Sequence, residues 1–269
     1  MDKELQAEFT KYKRMAGDKG DNRFRDAGTL QHWFRLIRKN AKFKYRIVLI
    51  LARESQVPSW LDVNAKDLRI VYHREFIPAS ELPTFNSSVI NCYIPFIHDL
   101  NEKYILFNDD IFMIKPTTVG DWFDNDKPRF HSDWIVFPRS GKLWDKNIGK
   151  CQFIINKLGK CHIFNSPEHG PLPRKRSLDL FLWSLIKDTM TESLSESRFR
   201  KEKNVTDWIF SMFYTAFKFG TQASWPISTY YNQESISIPK TKIACYNDTE
   251  LIHDFNAYKS NLHKILRGC

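Results

Sequence analysis

The segment Tyr45-Arg46-Ile47-Val48-Leu49-Ile50-Leu51 constrains this chain more than any other. After Arg46 it is unbroken aliphatic residue, with no polar position to mark either a helical stripe or a two-residue alternation. An amphipathic helix needs the first pattern and a half-exposed strand needs the second. A strand covered on both faces needs neither, and such strands belong to parallel sheets layered between helices. The longest aliphatic run, Ile47–Ala52, is six residues long. That is far short of the roughly 20 residues that cross a bilayer.

The flanking segments keep to the same plan. Leu5, Phe9 and Tyr12 pattern a first helix, which Gly17 and Gly20 break. Thr29–Asn40 predicts a helix with Leu30, Trp33, Phe34 and Ile37 on one face. Leu68–Tyr72 reads as a second strand. Asn86–Ile97 starts as a helix that Pro95 interrupts. Lys103–Phe107 is a third strand, and it runs directly into Asn108-Asp109-Asp110. Residues 111–165 read as irregular. Leu178–Phe219 is mostly helical, with a break near Ser193–Lys203, and the tail carries a short strand at Lys242–Tyr246 and a helix over Leu251–Leu266. This alternation predicts an α/β fold: a largely parallel sheet flanked by helices, with a helical segment in the C-terminal half. No repeat or low-complexity linker divides the chain, so residues 1–269 read as one unit.

Composition narrows what such a sheet serves. Only 10 Gly are present, and neither G-x-G-x-x-G nor G-x-x-x-x-G-K-[ST] occurs, which removes the glycine-loop nucleotide motifs. Aromatic residues are abundant at 14%, fitting either core packing or stacking on bases and sugar rings. The formal charge of +10 is compatible with nucleic acid, an anionic membrane surface or a small polyanionic substrate. No nucleic-acid-binding module is recognisable, so nucleic acid is not the expected partner. Five cysteines, an odd number without C-x-x-C spacing, argue against a disulfide framework and a zinc ribbon. With no apolar signal region after Met1-Asp2-Lys3-Glu4, a cytoplasmic protein is expected.

Candidate chemistry begins with Asp109-Asp110. Adjacent carboxylates repel each other and call for a cation or hydrogen-bond donors. In open α/β sheets ligands bind beyond the carboxyl ends of the strands, where this pair falls. Glycosyltransferases of the GT-A type carry Asp-x-Asp or Asp-Asp there, holding the divalent metal that bridges the donor diphosphate. Hard oxygen ligands suit Mg²⁺ or Mn²⁺. A capped turn is the plain alternative. His169-Gly170-Pro171-Leu172-Pro173 reads as a rigid non-regular segment ahead of Arg174-Lys175-Arg176, and its imidazole suits acid–base work beside a phosphate. Arg198-Phe199-Arg200 offers guanidinium groups that can clamp phosphate oxygens, or simply face solvent. Asn247-Asp248-Thr249 follows a strand and also fits a helix N-cap.

In order, these segments resemble the Stealth family of sugar-phosphate transferases. Arg23-Phe24-Arg25-Asp26 with Gly28-Thr29-Leu30, Gln56-Val57-Pro58-Ser59-Trp60-Leu61, Leu82-Pro83-Thr84-Phe85-Asn86-Ser87 and Phe107-Asn108-Asp109-Asp110-Ile111-Phe112 are similar to its second conserved region, over 23–116. His169–Pro173 with Arg176-Ser177, and Ser197–Arg200 leading to Asn204-Val205, resemble the third, over 165–220. Lys242–Thr249 resembles the fourth, over 240–266. The family includes bacterial capsular and exopolysaccharide phosphotransferases and the catalytic core of the lysosomal N-acetylglucosamine-1-phosphotransferase.

The resemblance implies a GT-A-like fold and a reaction: sugar-1-phosphate passes from a UDP-sugar, often UDP-N-acetylglucosamine, to an acceptor hydroxyl on a polysaccharide or oligosaccharide, and UMP leaves. It implies His169 as base, Asp109 and Asp110 as holders of Mg²⁺ or Mn²⁺ or of the acceptor, and Arg200 on phosphate oxygens. Arg23, Arg25, Asp26, Gln56, Arg176, Asn247 and Asp248 would bind the donor. The implied place is the cytoplasm, with peripheral association at the inner face of the membrane. Two departures go with it. The family's first conserved region, a strand ending in an Asp-Gly or Asn-Gly turn, has no counterpart here, and Asn91, Pro95 and Phe96 stand where the family has Glu, His and Arg. A truncated or degenerate copy of little activity, and an ordinary UDP-sugar glycosyltransferase, are the alternative readings.

Overall fold

The long aliphatic strand forms, and its partner is the next strand in sequence. In the computed structural model β1 (Ile47–Leu51) pairs in parallel with β2 (Leu68–Tyr72), Ile47 opposite Leu68 and Leu51 opposite Tyr72. The structure describes residues 3–16, 27–135, 143–159, 165–167, 169–223, 226–231, 235–248 and 252–269. Arg23, Arg25 and Asp26 lie outside them.

Two helices precede β1. In α1 (Lys3–Ala16), Phe9 meets the rings of Phe85 and Phe199 at 5.2 and 5.4 Å. In α2 (Leu30–Asn40), Phe34 and Ile37 are buried as the helical spacing requires. Next, α3 (Ser87–Tyr93) is capped by the Asn86 side chain, which accepts from the Ser88 N–H. It gives way to a 3₁₀ turn at Ile94–Phe96, where Pro95 cannot continue the α-helical hydrogen bonds.

The third strand, β3 (Lys103–Leu106), starts at the same end as the first two. The Arg46 guanidinium at the start of β1 donates to Asp99 O at 2.7 Å, and Arg69 of β2 donates to His98 O. β3 nevertheless does not pair with β1. Between them lies an apolar cavity of about 410 Å³, lined along one side by residues 43–50 and along the other by 103–109. Among the described strands β1 pairs only with β2, and β3 pairs only with β8 (Leu172–Lys175), antiparallel, with Leu106 opposite Leu172. One edge of β1 and one of β3 therefore border the cavity unpaired.

One large parallel sheet is not what forms. The described strands make four small sheets, in which parallel and antiparallel ladders mix. Chain direction explains this: β8 returns from the C-terminal half to lie antiparallel on β3, and β4 (Ile111–Met113) turns back at once after Asn108-Asp109-Asp110 to pair antiparallel with β11 (Ile243–Tyr246). On its other edge β11 pairs in parallel with β10 (Ser228–Tyr231). The stretch expected to be irregular contains β5 (Phe123–Asp124), β6 (Lys127–Ile135), α4 (Leu143–Lys157) and β7 (Asn165–Pro167), and β6 also pairs with β9 (Thr221–Ala223). The end of the His169–Pro173 segment, read as non-regular, lies in a strand: Leu172 and Pro173 open β8.

The helical part follows the sequence closely: α5 (Arg176–Leu185), α6 (Lys187–Leu194) and α7 (Trp208–Ala216), with the break between α6 and α7. These three pack with α3 and α4 into the largest core, where Leu182, Met190, Phe210 and Phe213 are fully buried. The sheet of β4, β10 and β11 is covered on both faces. Ile111, Met113, Ile243 and Cys245 face α2 and β1, while Phe112, Ala244 and Tyr246 face α8 (Phe255–Gly268).

Candidate functional site

The site forms where β3 ends. Because Leu106 of β3 lies opposite Leu172 of β8, the residues after β3 and those before β8 leave the ladder at the same end. That geometry brings Asn108-Asp109-Asp110 to the His169-Gly170-Pro171 approach. β4 then places Ile111 opposite Cys245 and lets the Tyr246 N–H donate to Asp110 O at 2.9 Å. β10 adds Tyr230 opposite Cys245.

Three side chains from three sequence regions meet here. The ligand-type atoms of Asp110, His169 and Cys245 all lie within 4.8 Å of one another. The Cys245 thiol donates to Asp110 Oδ2 at 3.4 Å. Asp110 Oδ1 is buried and has no hydrogen-bond partner among the described residues. The His169 ring stacks at a tilt on Tyr230, 4.6 Å between centroids. Gly170 lets that loop sit tight on β10: a Cβ there would lie 3.0 Å from Ser228 Oγ. Ser228 Oγ in turn donates to His169 O at 3.3 Å.

Burial governs the electrostatics. It lowers the pKa of His169 below its ordinary value; the Asp207 carboxylate opposes that shift and the Arg200 charge reinforces it. Burial raises the carboxyl pKa of Asp110, against the Cys245 hydrogen bond, and raises the Cys245 thiol, helped by the Asp110 charge. A neutral imidazole, a reluctant carboxylate and a protonated thiol therefore sit together. The lone Oδ1 of Asp110 and the exposed Asp109 beside it offer the hard oxygens that Mg²⁺ or Mn²⁺ prefers, so the pair fits such an ion. The imidazole and thiol next to them are softer donors.

The remaining sequence candidates divide. Asn247 Nδ2 donates to the Tyr230 hydroxyl at 2.8 Å, which puts Asn247 one ring away from His169. Asp248 follows on the same loop, in electrostatic reach of Tyr258 together with Asp110 and Cys245. It is not a helix cap: Asp254 caps α8 by accepting from the Ala257 N–H. Arg200 is exposed, donates to Ser87 Oγ at 2.6 Å, and lies within electrostatic reach of His169. Arg198 is drawn away, donating to Leu82 O and lying 4.9 Å from the Tyr12 ring centroid.

Two candidates have structural partners. Gln56 Oε1 accepts from the Ala52 N–H at 2.7 Å and closes the turn after β1. Arg176 lies at the opposite end of the β3–β8 ladder, where its backbone N–H donates to Glu102 O and its Nε to Pro95 O. The structure does not bring Arg176 to Asp109.

Sequence reading passed over Cys245, Tyr230 and Asp207. Cys245 stands inside the Lys242–Thr249 motif, two residues before Asn247, so its spacing was a usable signal. Tyr230 and Asp207 offered none: pairing across β10 places Tyr230, and Asp207 is buried within electrostatic reach of His169.

What these features define is a mixed α/β protein with a polar site at the end of β3, an arrangement consistent with a glycosyltransferase-like fold. The particular family follows from comparison. Residues 23–130 match the family model described as Stealth protein CR2, conserved region 2. That match, together with the relatives that follow, supports a Stealth-family phosphotransferase. It is 40% identical over 145 residues to the capsular polysaccharide phosphotransferase eps5J of Streptococcus thermophilus, covering 52% of this chain and 60% of that protein. It is 26% identical over 276 aligned positions to the capsular polysaccharide phosphotransferase WcwK of Streptococcus pneumoniae, covering 87% and 82%. Against the exopolysaccharide phosphotransferase cps2G of Lactiplantibacillus plantarum the identity is 28% over 220 residues, covering 70% and 64%. The chain thus spans about 60% of the length of the relatives it matches first. No described helix is long and apolar enough to cross a membrane.

Proposed function

We propose that this chain transfers sugar-1-phosphate, N-acetylhexosamine-1-phosphate for preference, from a UDP-sugar to a sugar hydroxyl in capsule or exopolysaccharide synthesis, releasing UMP. The observation that supports it most is the meeting of Asp110 and His169 at the end of β3, with Arg200 in electrostatic reach. The names of the relatives supply the reaction class. A cytoplasmic site at the inner membrane face belongs to the same reading.

In-line attack at phosphorus needs a deprotonated acceptor, balanced equatorial charge and a stabilised leaving phosphate. His169 takes the acceptor proton, and its lowered pKa leaves the ring neutral and ready near pH 7. Arg200 meets the phosphoryl oxygens. Asn247 and Asp248 hold the donor, with Arg23, Arg25 and Asp26 contributing from outside the described residues. Asp109 and Asp110 would hold Mg²⁺ or Mn²⁺, which would supply neutralisation of the diphosphate charge. Because both His169 and Asp110 work deprotonated, the rate rises with pH on the acid side and then levels.

A retained fold with little activity is the second reading. It is favoured by the cavity beside β3, where the Asn108-Asp109 end has no strand on one side among the described residues. Product analysis with UDP-N-acetylglucosamine and an oligosaccharide acceptor separates the readings. UMP release that His169→Ala abolishes supports phosphosugar transfer. Release of UDP means ordinary glycosyl transfer, and no turnover with either nucleotide means a retained fold.

A further inference from the structure

Carboxylate, imidazole and thiol within reach of one point make a donor set with its own preference, separate from that of Asp109-Asp110. The set comes from three elements: Asp110 between β3 and β4, His169 before β8, and Cys245 inside β11. We propose that Asp110, His169 and Cys245 form a binding site for a thiophilic divalent ion of the zinc class.

Four observations carry it. The three donor atoms lie within 4.8 Å of one another. Typical bond lengths of ~2.3 Å to sulfur and ~2.0–2.2 Å to nitrogen and oxygen place tetrahedral donors roughly 3.4–3.8 Å apart. Cys245 Sγ and Asp110 Oδ2, 3.4 Å apart, already meet that spacing. The imidazole closes the rest by a shift of roughly 1 Å, which a loop before a strand can absorb.

The second observation is the unused oxygen. Asp110 Oδ1 is buried without a partner, and a buried carboxylate oxygen left so is costly unless something binds it. The third is that His169 has ring contact with Tyr230 but, among the described residues, no hydrogen bond to its ring nitrogens. The fourth is the surroundings. Ile111, Ile243 and Trp122 wall the Cys245 side with apolar surface, which strengthens a charged bond once it forms.

Binding balances simply. The thiol gives up one proton to solvent as Sγ bonds to the ion, the carboxylate bonds through oxygen, and the imidazole bonds through its lone pair. Water or a phosphate oxygen completes the four positions. Affinity at mixed nitrogen, oxygen and sulfur donors rises steeply from Mg²⁺ to Zn²⁺, so this set selects zinc over magnesium. While the ion is held, the His169 lone pair is occupied. That consequence for turnover rests on the function proposed above; the binding itself does not.

The test uses Co²⁺ as a coloured stand-in for zinc on the full chain, without sugar nucleotide. Titration should give a near-ultraviolet sulfur-to-cobalt band and intense visible bands of a four-coordinate ion. Stoichiometric Zn²⁺ should bleach both, and millimolar Mg²⁺ should not. Cys245→Ser should remove the sulfur band, and Cys269→Ser should keep it. His169→Ala, a change on a loop, should weaken binding by more than about 100-fold with the circular dichroism of the wild type. If Cys245→Ser fails to fold, His169→Ala alone decides. The absence of a sulfur band in wild type, its survival in Cys245→Ser, or unchanged affinity in His169→Ala would overturn the proposal. UMP release is measured separately, so failure of the enzyme reading leaves this result intact.

Discussion

Two polar clusters, one on β8 and one at the loop before it, differ in how their polar atoms are bonded. Around Arg174 most polar atoms are bonded, and its Nη2 is the guanidinium nitrogen left without a partner among the described residues. Its Nε donates to Asp179 Oδ2 at 3.1 Å and its Nη1 to Asn91 O at 3.0 Å, and its guanidinium lies 3.7 Å from the Phe210 ring centroid. The hydroxyls of Tyr104 and Tyr214 both donate to Asp179. Burial opposes the guanidinium charge, but Asp179 and the two tyrosines outweigh it and hold Arg174 protonated. Around Asp110 the atom without a partner among the described residues is a carboxylate oxygen, and the other oxygen accepts from the Cys245 thiol. The first cluster joins β3, β8, α5 and α7. The second, half-buried, is where we propose that a ligand binds. The bonding pattern separates the two more sharply than burial alone.

Arg174→Ala breaks the first cluster and carries the largest expected effect. It leaves the buried Asp179 carboxylate without its counter-charge, held by the two tyrosine hydroxyls alone, a loss of about 3–5 kcal/mol for a buried pair deprived of one partner. Urea unfolding should show it as a lower midpoint. A double change to Arg174→Met with Asp179→Leu should recover most of the loss, because the pair then disappears together. A single mutant as stable as wild type would show that the network is not a structural joint.

His73 is an acid-sensitive member of the buried interior. Burial lowers its pKa to about 4 from the ordinary 6.5. Between those values the unfolded chain binds a proton that the folded chain refuses, so stability falls as pH drops through that window and is flat above it. The difference amounts to about 3 kcal/mol across the window. His73→Gln should flatten the acid side of the stability profile; an unchanged profile would place the sensitivity elsewhere, with Asp110 and Asp207 acting in the opposite direction.

Asp110→Asn tests the second cluster and should separate the two kinds of loss. Turnover should fall at least about 100-fold, equal to roughly 2.7 kcal/mol of transition-state stabilisation. Stability should hold or improve, since a buried charge with an unpaired oxygen is removed. Asp109→Asn, at an exposed position, should lower turnover with the melting temperature unchanged. Large destabilisation by Asp110→Asn would move that residue to the architectural side.

Much of this division was legible in the sequence, and the rest was not for definite reasons. Ile47–Leu51 announced a strand through unbroken aliphatic residues, and Pro95 announced the end of α3. Asp109-Asp110 and His169 stood out because their residue types and local punctuation carry chemical meaning. His169–Pro173 looked non-regular because of its Gly and prolines, yet Pro173, which lacks a ladder donor, sits in a two-stranded pairing that tolerates it. Arg174 and Arg176 looked alike as members of one basic run. Alternation along β8 and the start of α5 send Arg174 into the core and leave Arg176 at the far end of the ladder. Cys245 drew no reading of its own beyond its place in Lys242–Thr249; it is a buried residue, and only pairing across β4 and β11 shows the carboxylate beside it. Local pattern reveals elements and reactive types, while partnership between distant strands does not appear in any window of sequence.

The smallest expected effect sharpens the boundary of the second cluster. Tyr230 touches it twice, through its ring on His169 and through its hydroxyl, which accepts from Asn247 Nδ2. Tyr230→Phe keeps the ring and removes the acceptor. One neutral hydrogen bond at a half-exposed position contributes about 1 kcal/mol. If Asn247 holds the donor, as proposed, the loss should appear as a KM raised roughly fivefold with kcat nearly unchanged, since uniform binding is removed and the base is untouched. Tyr230→Ala removes the stacked ring as well, frees the His169 loop, and should lower kcat too. Equal kinetics for Tyr230→Phe and wild type would mean that the Asn247 contact is only a tie between β10 and the loop after β11. An effect on kcat alone would mean that the hydroxyl orients His169 and belongs with the reacting groups.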